Sequence, residues 1–189
     1  MTALIIIAVL VLIVLWGIGI QRRLVQSDEL CKNSLSQIGV QQNSRWDAIT
    51  ALGELIKSYN QHEYQTLKDV ISMRKPVDGN SSVEELNANE EAIGKALSSI
   101  NVVVEQYPEL KANEQYLKAM DSVNTYENQV RLARMTYNDS VTKFNREVRV
   151  FPDSVVAGLL RFTPKEYLKE PVGKTDMPSL NIPPSGGAA

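Results

Sequence analysis

The chain has 189 residues and a formal net charge of -2, with 20 basic side chains set against 22 acidic ones. Charges of both signs are spread along it, which excludes the electrostatic footprint of a nucleic-acid binder, and no nucleic acid is expected as a partner. Its single cysteine, Cys31, offers no intramolecular disulfide, no CxxC pair and no zinc-ligand spacing.

The first element is TALIIIAVLVLIVLWGIGI, residues 2–20, which holds no charged residue. As a helix it reaches roughly 28 Å, the thickness of bilayer hydrocarbon. A cleaved secretion signal has a basic segment before its apolar run and a small-residue cleavage site after it. Here nothing basic precedes the run and QRR follows it, so residues 1–22 are predicted to be a retained single-pass transmembrane anchor, with the lipid bilayer as partner. Arg22 and Arg23 lie just past Trp16 at the far boundary. The basic bias of cytoplasmic loops then orients Met1 outside and the bulk of the chain in the cytoplasm. Two arginines are the whole basis for that orientation, and the reverse stays open.

Residues 23–169 are predicted to form a helical bundle. Leu24, Cys31, Leu35 and Ile38, then Trp46, Ile49, Leu52, Ile56 and Tyr59, recur at steps of three, four and seven, the period of a helix with one apolar face. This helix is expected to continue the membrane helix, with Gly39 and the Asn43 and Ser44 pair marking an interruption. His62, the lone histidine, stands beside Glu63 without the HExxH spacing, and no nucleophile motif or phosphate-cradling glycine loop accompanies it. No catalytic residue, metal site or cofactor is therefore expected. Residues 75–82, KPVDGNSS, form the clearest break. Ser82 and Glu85 then read as a capping box opening a helix that carries Ile93, Leu97, Ile100 and Val104 on one side. Pro108 ends or kinks that helix, because proline lacks the amide proton and clashes with the preceding turn.

A second long helix is predicted over about residues 111–149. Its positions Tyr116, Met120, Val123, Glu127, Val130, Arg134, Tyr137, Val141, Phe144 and Val148 alternate by four and three, a heptad seam of coiled-coil type. Glu127 and Arg134 are its charged members, two turns and roughly 10 Å apart, so each is expected to meet a neighbouring helix or water rather than the other. The stretch ENQVRLARMTYN, residues 127–138, adds Asn128, Tyr137 and Asn138 as candidates. One reading is a packing and register network, in which polar seam residues fix pairing at some cost in stability. Another is a groove in which the planar fork of Arg134 receives a carboxylate or a peptide terminus while Glu127 orients it. Rotating the seam would instead pair Glu127 with Arg131 on the surface. Tyr107, Tyr116, Tyr126 and Tyr137 are expected to pack between helices with their hydroxyls at the edge. Residues 157–167 are predicted to add a short docked helix. Residues 170–189, EPVGKTDMPSLNIPPSGGAA, hold four of the eight prolines and three of the ten glycines and form a tail expected to be extended or mobile.

Several separated blocks are recognisable in order: YPxLKAN at residues 107–113, ENxxxxAR at 127–134, YN at 137–138 and FP at 151–152. Together they resemble the signature of the LemA family of bacterial membrane-anchored helical proteins, and VQQNSRWDAITALGELIKSYNQHE at 40–63 is similar to an earlier block of that family. The resemblance implies an all-α fold, an elongated antiparallel helical bundle with an N-terminal transmembrane helix, placed at the bacterial cell membrane with no established enzymatic activity. Where the family reads close to RRYDLIPNLV, this chain has SRWDAITALG, so a break there is expected to give way to continuous helix, and Arg45 alone remains of the basic pair. The expected function is a membrane-anchored structural or protein-interaction module, not an enzyme, whose partner is a second copy or an unidentified membrane-associated protein. The alternative is a membrane-associated sensor or ligand-binding protein that uses the polar seam around Arg134.

Overall fold

A computed structural model describes residues 1–59, 61–72, 74–75 and 77–169 of the chain. The expectations placed on the tail at 170–189 and on the side chain of His62 lie outside the described residues. Among the described residues the regular structure is helical: α1 (Thr2–Tyr59), α2 (Gln61–Ile71), α3 (Val83–Gln106), α4 (Pro108–Lys111), α5 (Glu114–Arg149) and α6 (Asp153–Leu159).

Helix α1 is unbroken for 58 residues, roughly 87 Å. Its N-terminal part is long and apolar enough to cross a membrane. No interruption occurs at Gly39 or at Asn43 and Ser44. Ser44 donates its hydroxyl to the Val40 carbonyl at 3.1 Å, a back-bond within the helix that a serine can make without ending it. Gly39 serves tertiary packing instead: a Cβ there would fall 2.3 Å from the Val77 carbonyl oxygen, where the connection between α2 and α3 crosses α1. The same connection brings Gly79 close to the Lys32 carbonyl, 2.9 Å from where a Cβ would stand.

The Ser82 and Glu85 box closes as a reciprocal pair, with Glu85 N–H donating to Ser82 Oγ at 3.1 Å and Ser82 N–H to Glu85 Oε2 at 2.8 Å. Pro108 begins its own short turn, and Asn113 caps α5 by accepting from the Gln115 and Tyr116 amides at 2.8 and 3.2 Å. The second long helix therefore begins at Glu114 rather than near residue 111.

Helix α1 rises, α2 returns, α3 rises again and α5 descends along α1, giving an antiparallel bundle with two apolar cores. Near the anchor, Ile20, Leu24, Leu35 and Ile38 of α1 pack with Val130, Val141, Phe144 and Val148 of α5. At the far end Trp46, Ile49, Leu52 and Ile56 pack with Ile93 and Ile100 of α3 and with Tyr116 and Val123 of α5. Each such side chain contributes about 1.5–3 kcal/mol on burial, and these contacts rather than intrinsic propensity hold the long helices together.

The expected helix at 157–167 is corrected. Helix α6 spans Asp153–Leu159 and ends in a Schellman motif, in which Phe162 N–H donates to the Ala157 carbonyl at 2.9 Å and Arg161 N–H to that of Gly158 at 3.2 Å. Arg161 takes the left-handed conformation this turn needs, with φ 60. The chain then reverses, and residues 162–169 run without helix along α5, Phe162 packing edge-on against Phe144 with ring centroids 5.9 Å apart.

Candidate functional site

Between the two cores lies a polar layer drawn from three helices. Arg45 of α1, almost fully buried, donates from Nη1 to Glu90 of α3 at 2.7 Å and from Nη2 to Glu127 of α5 at 3.2 Å. Gln42 donates to the other Glu90 oxygen at 3.2 Å and accepts from the Asn89 amide at 2.9 Å. Trp46 Nε1 donates to Asn89 Oδ1 at 2.9 Å. Buried Gln42, Arg45 and Asn89 thus meet their partners across α1, α3 and α5, and a slip of one helix by a turn would break these pairings.

Lower on α5 a second set of side chains grips the segment 162–169. Asn138 donates to the Leu168 carbonyl at 3.0 Å and accepts from the Leu168 N–H at 2.9 Å. Asn145 does the same to Lys165, at 2.9 and 2.7 Å. The spacing has a geometric cause: seven residues of helix rise about 10.5 Å, and three residues of extended chain advance about 10 Å. Two carboxamides on one helix face thus meet every third peptide of an extended strap. Tyr137 donates its hydroxyl to the Glu166 carbonyl at 3.2 Å, and Arg134 Nη2 donates to the Lys169 carbonyl and, at 3.5 Å, to Asn87 Oδ1 of α3. Leu168 is buried beneath the strap, and Lys165 reaches Asp28 of α1 at 2.8 Å.

Burial pushes the Arg134 guanidinium below its ordinary pKa, with the Glu90 charge opposing that shift. It also raises the Tyr137 phenol, helped by Cys31 and Glu166, so the hydroxyl stays a donor. The Cys31 thiol is raised chiefly by burial, which moves it away from the reactive thiolate. Among the described residues no three or more His, Cys, Asp and Glu side chains gather where they could hold a metal. What the arrangement does chemically is present donors and acceptors to helices and to peptide backbone.

Of the residues singled out in sequence, Glu127 joins the polar layer, and Arg134, Tyr137 and Asn138 join the strap lock. Asn128 is exposed and belongs to neither. Tyr116 and Tyr137 are buried, while Tyr107 and Tyr126 are half-buried. Sequence reasoning missed Gln42, Arg45, Asn89, Glu90 and Asn145. For Asn145 a signal existed, since it stands seven residues past Asn138 and so on the same helical face.

The blocks that hold Arg134, Tyr137 and Asn138 are those that gave the sequence its resemblance. The profile of the LemA family matches residues 34–181, most of the chain. The chain belongs to the LemA family. A protein named LemA from Metamycoplasma hominis is 27% identical over 145 residues, 74% of this chain and 64% of that protein. Magnetosome proteins MamQ 1 and MamQ 2 of Paramagnetospirillum magneticum are each 32% identical over 83 residues, 43% of this chain and 30% of theirs. This LemA-family chain therefore spans less than two thirds of the length of these relatives.

Proposed function

We propose that the protein is a single-pass, membrane-anchored module that works through protein contacts and not catalysis, pairing with further copies of itself or with another membrane-associated protein. The observation that carries this reading is the continuity of α1. Its apolar side chains are exposed from Leu4 at 71% to Ile18 at 40%, yet from Ile20 onward the same helix builds the bundle core. An apolar surface of that extent is costly in water and matched by bilayer hydrocarbon. With no break in α1, the bundle stands on its anchor as a stiff rod. Arg22 and Arg23 at the boundary favour the bulk in the cytoplasm of a bacterial cell, with Met1 outside.

Membrane fractions test the anchor: the full-length protein should resist a salt wash and leave with detergent, and release by salt would end the reading. Proximity labelling in cells, with labelling enzymes on either side of the membrane, tests partner and orientation. One reproducible partner names the interaction, and recovery of the protein alone favours self-assembly. Labelling only from outside reverses the orientation. Saturable turnover by the purified protein, removed by one side-chain change that leaves it folded, would refute the absence of catalysis.

A second reading, a sensor or ligand-binding protein, is favoured by one detail: Arg134 Nη1 is buried and has no hydrogen-bond partner among the described residues. Arg134→Ala separates the two. As a structural residue its loss strands the Lys169 carbonyl and Asn87, costing about 2–4 kcal/mol of stability. As a ligand residue its loss abolishes binding of a defined small carboxylate while stability is kept.

A further inference from the structure

The foot of the bundle lies against the anchor, and what is inferred from it rests on the reading that α1 crosses a bilayer. Helix α5 descends toward the anchor, and its last buried residue, Val148, shares a core with Ile20 and Leu24. Helix α6 packs on α1 at the same level, where Asp153 accepts a hydrogen bond and ion pair from Arg23. Arg23 is three residues past Ile20, about 4.5 Å along the helix axis. The interfacial layer beyond the hydrocarbon is roughly 5–7 Å deep on each side. A bilayer that takes up the apolar run therefore puts α6 in its headgroup region.

The surface that α6 and the preceding corner present there is apolar. Only Ala157 of α6 is fully buried, and Val156 packs beside it. Phe151 is 78% exposed, Leu159 79% and Val155 55%, with Val150 and Leu160 exposed beside them. Exposed basic side chains occur at the same end, Arg22 beside Arg23 on α1, Arg149 just before the corner and Arg161 just after Leu160, and the one acidic residue of α6, Asp153, is already paired with Arg23. Exposed apolar residues accompanied by exposed arginines are the composition of an interfacial contact with anionic lipid.

We propose that the α5–α6 corner and α6 form an interfacial foot, in which Phe151, Val155, Leu159 and Leu160 enter the headgroup boundary of the bilayer that α1 crosses while Arg22, Arg149 and Arg161 engage anionic lipid headgroups. A lone transmembrane helix leaves a stiff rod free to tilt and spin. A foot on one side of it sets both the tilt and the face turned to the membrane.

Spin labels on the full-length protein in vesicles test this, with Cys31→Ser as background and one label each at Val155→Cys, Leu159→Cys, Val102→Cys and Leu10→Cys. Val102 is exposed at the far end of the bundle, and Leu10 lies inside the apolar run. Expected is several-fold stronger relaxation by membrane-dissolved oxygen at Val155→Cys and Leu159→Cys than at Val102→Cys, deepening when phosphatidylglycerol is added to phosphatidylcholine and losing that dependence with Arg149→Gln and Arg161→Gln. Water-like behaviour at both foot positions with a lipid-like Leu10→Cys overturns the foot and leaves the anchor standing. A water-like Leu10→Cys overturns the anchor itself and the foot with it. Spin-spin broadening between copies at Leu159→Cys without oxygen contact replaces lipid by a second protein molecule and overturns the proposal. Depth that ignores phosphatidylglycerol removes the arginines from it.

Discussion

Replacing Asn138 by alanine removes both hydrogen bonds that hold the peptide of Leu168, at 3.0 and 2.9 Å, a residue only 4% exposed. If the strap stays in place, a buried N–H and a buried carbonyl are left unmet, at about 1–3 kcal/mol each, partly relieved by small shifts of the strap. If its last residues peel away, water satisfies the peptide and the cost becomes the lost burial of Leu168, about 1.5–3 kcal/mol. The cheaper route sets the outcome, so a loss of about 2–3 kcal/mol is expected. Chemical denaturation of the full-length protein in detergent, followed by circular dichroism, measures the total. Hydrogen exchange at the Leu168 amide tells the routes apart, because peeling lowers its protection to that of a local opening. Asn138→Asp should be as damaging as alanine, since its carboxylate keeps the acceptor but faces the Leu168 carbonyl. A loss below about 0.5 kcal/mol, the scatter of neutral surface changes, with Leu168 protection unchanged would refute the strap lock.

Gly39→Ala should cost at least about 2 kcal/mol, because the new Cβ would meet the Val77 backbone at 2.3 Å, whereas Gly94→Ala meets nothing within 4 Å and should gain about 0.5–1 kcal/mol. Matched effects of the two in thermal melts would sink the close crossing. Burial by itself would raise the Asp28 carboxyl, but hydrogen bonds and charges from Lys165 and Lys32 win and hold it below 3.8. Its stabilising contribution is thus full above that ordinary value and disappears as pH falls through the lowered one, so Asp28→Asn should flatten the acid limb of stability against pH. An acid limb that Asp28→Asn leaves unaltered would count against the Lys165 contact. Arg45→Ala removes the cation that Glu90 and Glu127 share and should cost about 1–3 kcal/mol, with Gln42 still donating to Glu90. In double-mutant cycles the coupling of Arg45 to Glu90, at 2.7 Å and more buried, should exceed that to Glu127, at 3.2 Å, and the reverse order would show that geometry does not rank these pairs.

The periodic parts of this protein are legible in one dimension because their physics is local. An uninterrupted apolar run, a seam alternating by four and three, and a serine with a glutamate three residues on each state a helix or its start without reference to anything distant. The same locality misled at Gly39, where a glycine that looks like a helix break serves a chain crossing 38 residues later in sequence at Val77. It misled again at residues 157–167, where the left-handed turn at Arg161 ends α6 and a strap begins. The seam told that Glu127 and Arg134 need partners, and could not say which.

By itself, then, the sequence placed the three long helices, the apolar faces they bury, the N-terminal apolar run and the resemblance to the LemA family, but neither the return of α2 nor the extent of α6. Only the tertiary structure decided that Arg45 joins Glu90 to Glu127, and that Arg134, Tyr137, Asn138 and Asn145 hold the strap. Those contacts join residues 20 to 82 positions apart. A side chain's own periodicity says which way it faces, and only the packed neighbour says what it meets there.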